Sequence, residues 1–252
     1  MGAAIDLNCD LGEGAGHDAE LMPLVTSANI ACGAHAGDAA EMRATVTLAQ
    51  RHGVAIGAHP GFADREHFGR RELELPPGEI IALVRGQIEA LAGIADETGA
   101  RVTHVKPHGA LYNMSARDAR VADAIAEAVA GADDRLWLYG LAGGELLKAG
   151  QARGLRVAAE VFADRTYQAD GSLTPRGRPD ALLTNEADSV AQVLRMVREG
   201  RVGTTGGRDI AIVADTLCLH GDGAHPVEFA RSVRAALNAA GVRVRALVSG
   251  PV

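Results

Sequence analysis

Aromatic side chains are scarce in this sequence. Phe, Trp and Tyr make up 3% of the 252 residues, whereas hydrophobic residues make up 47%. Small aliphatic side chains must therefore fill the core, which favours helices layered on strands over an aromatic-rich sandwich. About 250 residues is also a usual length for a (β/α) barrel that forms one domain. No linker, repeat or low-complexity segment divides the chain, so we predict a single domain over residues 1–252.

Signals for membranes, nucleic acids and secretion are also missing. The net charge is −7 without any basic run, so neither nucleic acid nor an anionic membrane is an expected partner. No segment approaches the roughly 18 apolar residues of a membrane span, and residues 1–6 do not resemble a signal peptide. Three cysteines lie far apart in apolar runs, which predicts core side chains in a reducing compartment: Cys9, Cys32 and Cys218. We expect a cytoplasmic protein.

The common nucleotide and nucleophile motifs are absent as well. The sequence contains no G-x-x-x-x-G-K-[ST] phosphate loop, no G-x-G-x-x-G after a strand and no G-x-S-x-G elbow. The segment Thr204-Thr205-Gly206-Gly207 lacks the Lys-Ser ending of a phosphate loop, and we interpret it as a turn. The sequence therefore does not predict a nucleotide site carried by this chain alone.

Short apolar runs alternate with amphipathic stretches along the whole chain. The runs predict strands at residues 3–9, 28–32, 54–58, 102–106, 136–139, 157–162 and 210–219, and a last strand at 242–247. Apolar residues recur every three or four positions in residues 81–95 and 190–197, which indicates helices. Repeated strand–helix units predict a parallel sheet with right-handed crossovers. Seven or eight units favour a closed α/β barrel, and an open doubly wound sheet is the alternative.

Local signals place helix ends and loops. Residues 115–118 predict a helix start of the capping-box type, and Pro226 fits the first position of another helix. Residues 61–78 and 163–183 are rich in Gly, Pro and charge. We expect them to be functional loops at the carboxyl ends of strands.

Polar residues alternate with apolar ones in the predicted strands. Residues 5, 7 and 9 are apolar, whereas Asp6, Asn8 and Asp10 share the other face, which is expected to point into the barrel. The same alternation places further polar groups at strand ends: His59; His104, Lys106 and His108; Glu160 and Asp164; Cys218, His220 and Asp222. Barrel enzymes hold their active sites at the carboxyl ends of strands. Burying so many polar groups is unfavourable unless they pair or bind a ligand, so we predict an active site there.

Individual segments leave several chemical roles open. Asp10, His35 and His59 could form a divalent metal site, although tight H-x-x-x-H or C-x-x-C spacing is absent. Lys106 could hold an anion, act with a pKa lowered by burial, or form a structural salt bridge. His108 is a candidate general acid or base. Arg165 suits bidentate binding of a carboxylate, with an ordinary loop ion pair as the alternative.

Seven segments in this order resemble the LamB/YcsF-type family. They span essentially the whole chain, at residues 6–13, 27–38, 57–61, 68–71, 104–113, 160–165 and 218–222. The resemblance implies a seven-stranded barrel of the glycoside hydrolase/deacetylase type. It also implies ATP-dependent 5-oxoprolinase activity, in which 5-oxo-L-proline is cleaved to L-glutamate. For this activity the chain is expected to act with two partner subunits. Residues 63–67 lack the glycine expected before Phe68, and Gly86 stands where a Tyr commonly precedes Gln87; these departures affect loop detail and helix packing.

We combine the resemblance with the strand-end residues into a hypothesis. Because a lactam carbon is a weak electrophile, phosphorylating its oxygen with ATP would create a leaving group and ease attack by water. Partner subunits are expected to contribute to phosphoryl transfer, and this chain to bind the ring and manage protons. The predicted catalytic residues are Asp10, Lys106, His108, Glu160 and Asp222, and the predicted substrate-binding residues are Asn8, His59, Arg165 and His220. Two rival hypotheses are a stand-alone metal-dependent deacetylase or amidohydrolase, and a non-catalytic metabolite-binding subunit.

Overall fold

Seven parallel strands of this chain close into a barrel. The structure, a computed structural model, describes residues 3–219 and 225–247. Its strands are β1 (Ala4–Leu11), β2 (Ser27–Ala31), β3 (Ala55–His59), β4 (Val102–Val105), β5 (Trp137–Leu141), β6 (Arg156–Phe162), β7 (Arg201–Gly203), β8 (Asp209–Ala211), β9 (Thr216–Leu219) and β10 (Arg243–Val244). Strands β1 to β6 pair in chain order, and β9 pairs with both β6 and β1. The predicted barrel is confirmed, and the open sheet is wrong.

Helices surround the barrel. They are α1 (Asp18–Leu21), α2 (Ala39–His52), α3 (Pro77–Glu97), α4 (Gly109–Arg117), α5 (Ala119–Ala132), α6 (Glu145–Ala152), α7 (Glu186–Glu199) and α8 (Pro226–Ala239). Helices α3 and α7 contain the two predicted periodic segments, and Pro226 opens α8 as predicted. Within residues 3–219 and 225–247, no helix has the length and apolar character needed to cross a membrane.

The predicted strand at residues 210–219 is wrong, because this segment forms two separate strands. Its first part, β8, pairs antiparallel with β7, and only β9 belongs to the barrel. Between them Val213 is 65% exposed, and the Asp215 carboxylate accepts a hydrogen bond from the backbone N–H of Ala159 at 2.9 Å. The exposed Val213 and the hydrogen bond between Asp215 and β6 interrupt the apolar run at residues 210–219. The predicted turn at residues 204–207 does link β7 to β8.

The predicted capping box at residues 115–118 is also wrong. Ser115 lies inside α4, where its hydroxyl donates to the carbonyl of Tyr112 at 2.8 Å. Asp118 is the residue that caps the next helix, because its carboxylate accepts from the backbone N–H groups of Arg120 and Val121. The new helix therefore starts three residues later than the pattern predicted.

The two faces of β1 separate as the alternation predicts. Ile5 and Leu7 belong to the apolar core, whereas the side chains of Asp6 and Asn8 bond to residues of other barrel strands. The interior is filled tightly at β3, where the missing side chain of Gly57 makes room for the imidazole of His104. A Cβ atom at position 57 would lie 2.0 Å from His104 Nε2. That ring is fixed by a 2.9 Å hydrogen bond with the Asn29 side chain.

We expect Gly57→Ala to lower the free energy of unfolding by about 2–3 kcal/mol, because overpacking a rigid interior costs roughly 1–3 kcal/mol. Gly86→Ala is the matched control: it lies within α3, and a methyl group added there would have no atom within 4 Å. This control should gain roughly 0.5–1 kcal/mol, since alanine is the better helix former. Urea unfolding measures both variants, and equal stabilities would contradict the packing of His104 against Gly57.

Candidate functional site

A cavity of about 630 Å³ opens at the carboxyl ends of the barrel strands. Its floor contains side chains at or just after the carboxyl ends of β1, β3 and β4: Asp10, Glu13, His59, Lys106 and His108. Its walls come from residues 70–72, from α4 and from the loop of residues 165–176. Both segments predicted to be functional loops therefore reach the cavity, at the end of the barrel where the sequence predicts an active site.

The Lys106 ammonium group lies at the centre of the floor, buried between two carboxylates. Its Nζ atom is 2.9 Å from Asp10 Oδ1 and 2.9 Å from Glu160 Oε1, and it also contacts Cys218 Sγ at 3.1 Å. Burial opposes the charge, but the negative groups outweigh it and raise the pKa of Lys106 well above its usual range. The alternative of a lowered pKa is therefore wrong, and Lys106 is a fixed cation in a structural ion-pair network.

A layer of polar side chains lies deeper in the barrel. Asp6 accepts hydrogen bonds from four side-chain hydroxyl groups, those of Thr26, Ser27, Tyr139 and Thr216. Burial raises the pKa of Asp6, and these hydrogen bonds partly offset the rise. Asn8 donates to Glu160 Oε1 at 3.0 Å and to Thr216 at 2.7 Å.

Two predicted site residues belong to this deeper layer. Asn8 and Glu160 are fully buried, and neither is among the residues that line the cavity. Their side chains bind one another and Lys106, so the structure places them one step away from any ligand in the cavity.

Three histidines and one carboxylate meet beside Asp10. One donor atom each from Glu13, His35, His59 and His108 lies within 4.8 Å of all the others. Glu13 Oε1 is 3.1 Å from His35 Nε2, 3.3 Å from His108 Nδ1 and 3.8 Å from His59 Nε2. Asp10 Oδ2 lies 3.4 Å from His59 Nε2. The structure thus joins His35 and His59, as predicted for a metal site, but adds Glu13 and His108 to them.

The histidines differ in their electrostatic environments. Burial, followed by the charge of His59, lowers the pKa of His35 and of His108 to about 3. For His59, burial acts in the same direction, but the charge and hydrogen bond of Asp10 outweigh it and raise the pKa. The rings of His35 and His108 stack face to face with centroids 3.7 Å apart, an arrangement that suits two neutral imidazoles.

The backbone beside this histidine cluster is tightly built. Phe68 has a φ of +54°, which is unfavourable for a non-glycine residue, and its carbonyl accepts a hydrogen bond from His108 Nε2 at 2.8 Å. Gly61 passes so close that a Cβ atom there would lie 2.7 Å from His35 Nδ1. The loop after β3 therefore fixes the positions of two cluster histidines.

One wall of the cavity carries positive charge. Arg165 is buried, and its guanidinium donates to the carbonyls of Thr174 at 2.6 Å and Ala181 at 3.4 Å. Burial, followed by the charge of Arg176, lowers the pKa of Arg165. Carbonyl groups orient this guanidinium without neutralising it, so this wall favours an anionic group in the cavity.

Most residues of the cavity floor could be predicted from the sequence, and one could not. Asp10, His59, Lys106, His108 and Arg165 line the cavity as predicted, whereas His220 and Asp222 lie outside the described residues. Glu13 belongs to the segment at residues 6–13 that resembles the family, but it was not among the predicted site residues. It lies in the turn after β1, between Gly12 and Gly14, which both have positive φ, so strand alternation could not predict where its side chain points.

The architecture and the cavity define a class: a seven-stranded (β/α) barrel of the deacetylase type with an ionisable cavity floor. The catalytic domain of a peptidoglycan N-acetylglucosamine deacetylase from Eubacterium rectale shares this fold, with a TM-score of 0.54 at 12% identity over 99% of this chain and 90% of that chain. At this level of identity, the likeness concerns the fold alone.

Closer relatives narrow the class to one family. The model of the LamB/YcsF family matches residues 5–250. A 5-oxoprolinase subunit from Geobacillus thermodenitrificans is 56% identical over 247 residues, which cover 96% of each chain. A lactam utilization protein from Thermus thermophilus has a crystal structure with a TM-score of 0.91 at 46% identity, covering 97% of this chain and all of that chain. The chain belongs to the LamB/YcsF family.

We expect Lys106→Met to lower the free energy of unfolding by about 3–5 kcal/mol, because it leaves buried carboxylates without their cation. Lys148→Met is the matched control, since Lys148 forms an exposed ion pair with Glu145 and such pairs contribute less than about 1 kcal/mol. Denaturant titration followed by circular dichroism measures both. A loss no larger for Lys106→Met than for the control would mean that the buried ion pairs are not formed.

We also expect stability to fall as the pH drops from about 6.5 towards 3. Burial, then the charges of Lys106 and His59, lowers the pKa of His104 from 6.5 to about 3. The unfolded chain therefore binds a proton at this residue in a pH range where the folded chain does not, which destabilises the fold by up to about 1.4 kcal/mol per pH unit. In His104→Gln, the slope of the free energy of unfolding against pH should be smaller across this range, by the equivalent of up to one proton. An unchanged slope would contradict the neutral state of His104.

Proposed function

We propose that this chain is a subunit of a cytoplasmic ATP-dependent 5-oxoprolinase, which opens the lactam of 5-oxo-L-proline to L-glutamate while ATP is hydrolysed to ADP and phosphate. The observation that carries the proposal is the identity of 56% to a 5-oxoprolinase subunit over 96% of both chains. The name of that relative supports a complex of several subunits, and we propose two partners for this chain. The cavity described above is the proposed substrate site.

The size and charge of the cavity suit this substrate. A volume of about 630 Å³ lies within the usual range of roughly 300–1,000 Å³ for small-molecule sites and exceeds the need of a single five-membered ring. The remaining space could admit a phosphoryl group or a segment of a partner subunit. The substrate is a carboxylate at one end and an amide at the other, and the cavity correspondingly has a cationic wall and a floor of acids and histidines.

Arg165 is the proposed site for the substrate carboxylate. Arg165 lines the cavity, and two backbone carbonyls orient its guanidinium through Nε and Nη2. Its remaining N–H groups would suit a carboxylate. Lys106, the other predicted candidate, lies within 2.9 Å of two carboxylates. Because its charge is already compensated, Lys106 offers a third carboxylate little attraction.

The amide end of the substrate would then face Asp10 and the histidine cluster. Phosphorylation of the lactam oxygen activates the ring carbon for attack by water, and the ring nitrogen leaves after it gains a proton. A second water then hydrolyses the resulting acyl phosphate, which releases phosphate and L-glutamate. Asp10 has one oxygen directed at Lys106 and the other at His59, so it can pass a proton between water and the cluster. We assign phosphoryl transfer from ATP to the partner subunits, since this sequence contains no phosphate loop.

The histidine cluster also favours a second candidate, a metal-dependent amide hydrolase that works alone. Histidine nitrogens and glutamate oxygens are ligands that Zn²⁺ takes in catalytic sites, and such an enzyme would open amides without ATP. The third hypothesis, a subunit that only binds metabolites, predicts normal turnover after substitution of the cavity floor.

One assay separates these candidates. This chain is incubated with 5-oxo-L-proline and ATP, first alone and then with its candidate partner subunits, and both glutamate and phosphate are measured. We expect both products only in the reconstituted mixture, and we expect His108→Ala to reduce them at least about 100-fold. ATP-independent glutamate formation by the chain alone would support the amide hydrolase, and near-normal turnover with His108→Ala would support the metabolite-binding subunit.

We expect Arg165→Gln to raise KM for 5-oxo-L-proline at least about tenfold in the reconstituted complex, because a charge-assisted hydrogen bond contributes roughly 1.5–3 kcal/mol. Arg178→Gln is the matched control from the same loop, where Arg178 forms an exposed ion pair with Asp180. Unchanged KM in Arg165→Gln, with kcat reduced instead, would place the substrate carboxylate elsewhere.

A further inference from the structure

Two histidine nitrogens face each other in the cluster, and neutral rings would leave no hydrogen atom between them. The Nδ1 atom of His59 lies 2.7 Å from the carbonyl of Lys106, and the Nε2 atom of His108 lies 2.8 Å from the carbonyl of Phe68. A carbonyl only accepts, so each of these nitrogens carries the ring hydrogen. In neutral rings, His59 Nε2 and His108 Nδ1 are then bare lone pairs, yet they lie 3.0 Å apart.

Two lone pairs at that distance repel unless a cation lies near both. Two carboxylate oxygens of the described residues add further lone pairs beside them. Glu13 Oε1 lies 3.3 Å from the His108 nitrogen, and Asp10 Oδ2 lies 3.4 Å from the His59 nitrogen. His35 Nε2 completes the group at 3.1 Å from Glu13 Oε1. The arrangement therefore calls for positive charge at its centre.

The spacing of the donor atoms identifies the kind of cation. In a tetrahedral zinc site with bonds of about 2.0–2.1 Å, neighbouring donor atoms lie roughly 3.3 Å apart. Four of the six separations between these donor atoms are 3.0, 3.1, 3.3 and 3.8 Å, and all six are within 4.8 Å. Three imidazole nitrogens and one carboxylate oxygen suit Zn²⁺ or Co²⁺, whereas Mg²⁺ and Ca²⁺ prefer oxygen donors.

We propose that Glu13, His35, His59 and His108 bind one divalent cation of the zinc class at the floor of the cavity. This inference does not rest on the proposed function. The two carbonyls that accept from His59 and His108 orient these ligands, as outer partners of metal-binding histidines commonly do. Glu13, His59 and His108 line the cavity, so a bound ion would be in reach of a ligand there.

The assignment also gives Asp10 a separate role. Asp10 lies beside the ligand set, with its Oδ1 atom held by Lys106 at 2.9 Å, and it is not among the four tightly grouped donors. His108 would be a ligand rather than a general acid or base. Proton transfer would then fall to Asp10, whose second oxygen faces His59.

Metal binding by the full chain tests the proposal without any activity measurement. The chain is purified without chelators for metal analysis, then stripped and titrated with Zn²⁺ against a chromophoric chelator. We expect one equivalent of Zn²⁺ per chain, and an intense visible spectrum of tetrahedral type with Co²⁺. Glu13→Gln and His35→Ala should each weaken Zn²⁺ binding at least about 100-fold, because even outer partners of a ligand contribute 10- to 100-fold.

Two further variants make the test specific. Asp10→Asn should keep one equivalent with affinity within about tenfold, and His52→Ala, which removes an exposed histidine of α2, should bind as the unaltered chain does. Circular dichroism establishes that each variant is folded. If the unaltered chain binds Zn²⁺ no more tightly than His35→Ala does, the proposal is overturned in favour of a shared proton. The proposal is also overturned if Asp10→Asn loses Zn²⁺ binding and Glu13→Gln keeps it. If the chain binds Zn²⁺ tightly but forms no glutamate with its partner subunits, the metal site is supported and only the proposed function is refuted.

Discussion

The ammonium group of Lys106 is the interaction on which the interior of this barrel depends. It follows β4 and contacts Asp10 of β1, Glu160 of β6 and Cys218 of β9, so one side chain links strands that are far apart in sequence. A carboxylate as deeply buried as that of Glu160 would be strongly destabilising without a cation. The closed arrangement of strands and the position of this charge therefore require each other.

The same residue also connects the interior with the cavity floor. While its side chain fixes Asp10, its backbone carbonyl accepts a hydrogen bond from His59. Asp10 in turn approaches the opposite nitrogen of the His59 ring at 3.4 Å, so both sides of this imidazole are set by Lys106, directly or through Asp10. A substitution at Lys106 would therefore change the position of His59 in the histidine cluster, although Lys106 is not one of its members.

Much of this could be predicted from the sequence, because strands have a strict period of two. Asp6, Asn8 and Asp10 were assigned to the interior on that basis, and six of the strands lie within a few residues of their predicted bounds. Alternation could not predict that Asp215 accepts a hydrogen bond from the backbone of β6, which interrupts the predicted strand at 210–219.

The absence of a Tyr before Gln87 does not disturb packing, because the Gln87 amide still forms hydrogen bonds with the backbone of Gly61 and no atom crowds Gly86.

The site was harder to predict wherever loops decide direction. Asp10 and Glu13 are separated by only three positions, but Asp10 lies within β1, whereas Glu13 lies in the following turn between two left-handed glycines. The sequence alone therefore suggested Asp10 as the partner of His35, whereas the turn brings Glu13 to that histidine at 3.1 Å. Similarly, the pattern identified Arg165 as a carboxylate-binding residue but could not show that carbonyls of Thr174 and Ala181 orient it.

Burial of an acid in this barrel is by itself no sign of catalysis. Asp6 is as deeply buried as any residue here, but four hydroxyl groups satisfy its carboxylate and it does not line the cavity. Asp10 and Glu13 are less buried, line the cavity and lie beside histidine lone pairs. The chemically relevant distinction is therefore one of position as well as burial. Hydroxyl hydrogens fill the carboxylate of Asp6 inside the barrel, whereas the carboxylates of Asp10 and Glu13 lie at the cavity beside histidines. The first arrangement stabilises the closed barrel, and only the second places an acid where it can act on a proton, a cation or a substrate.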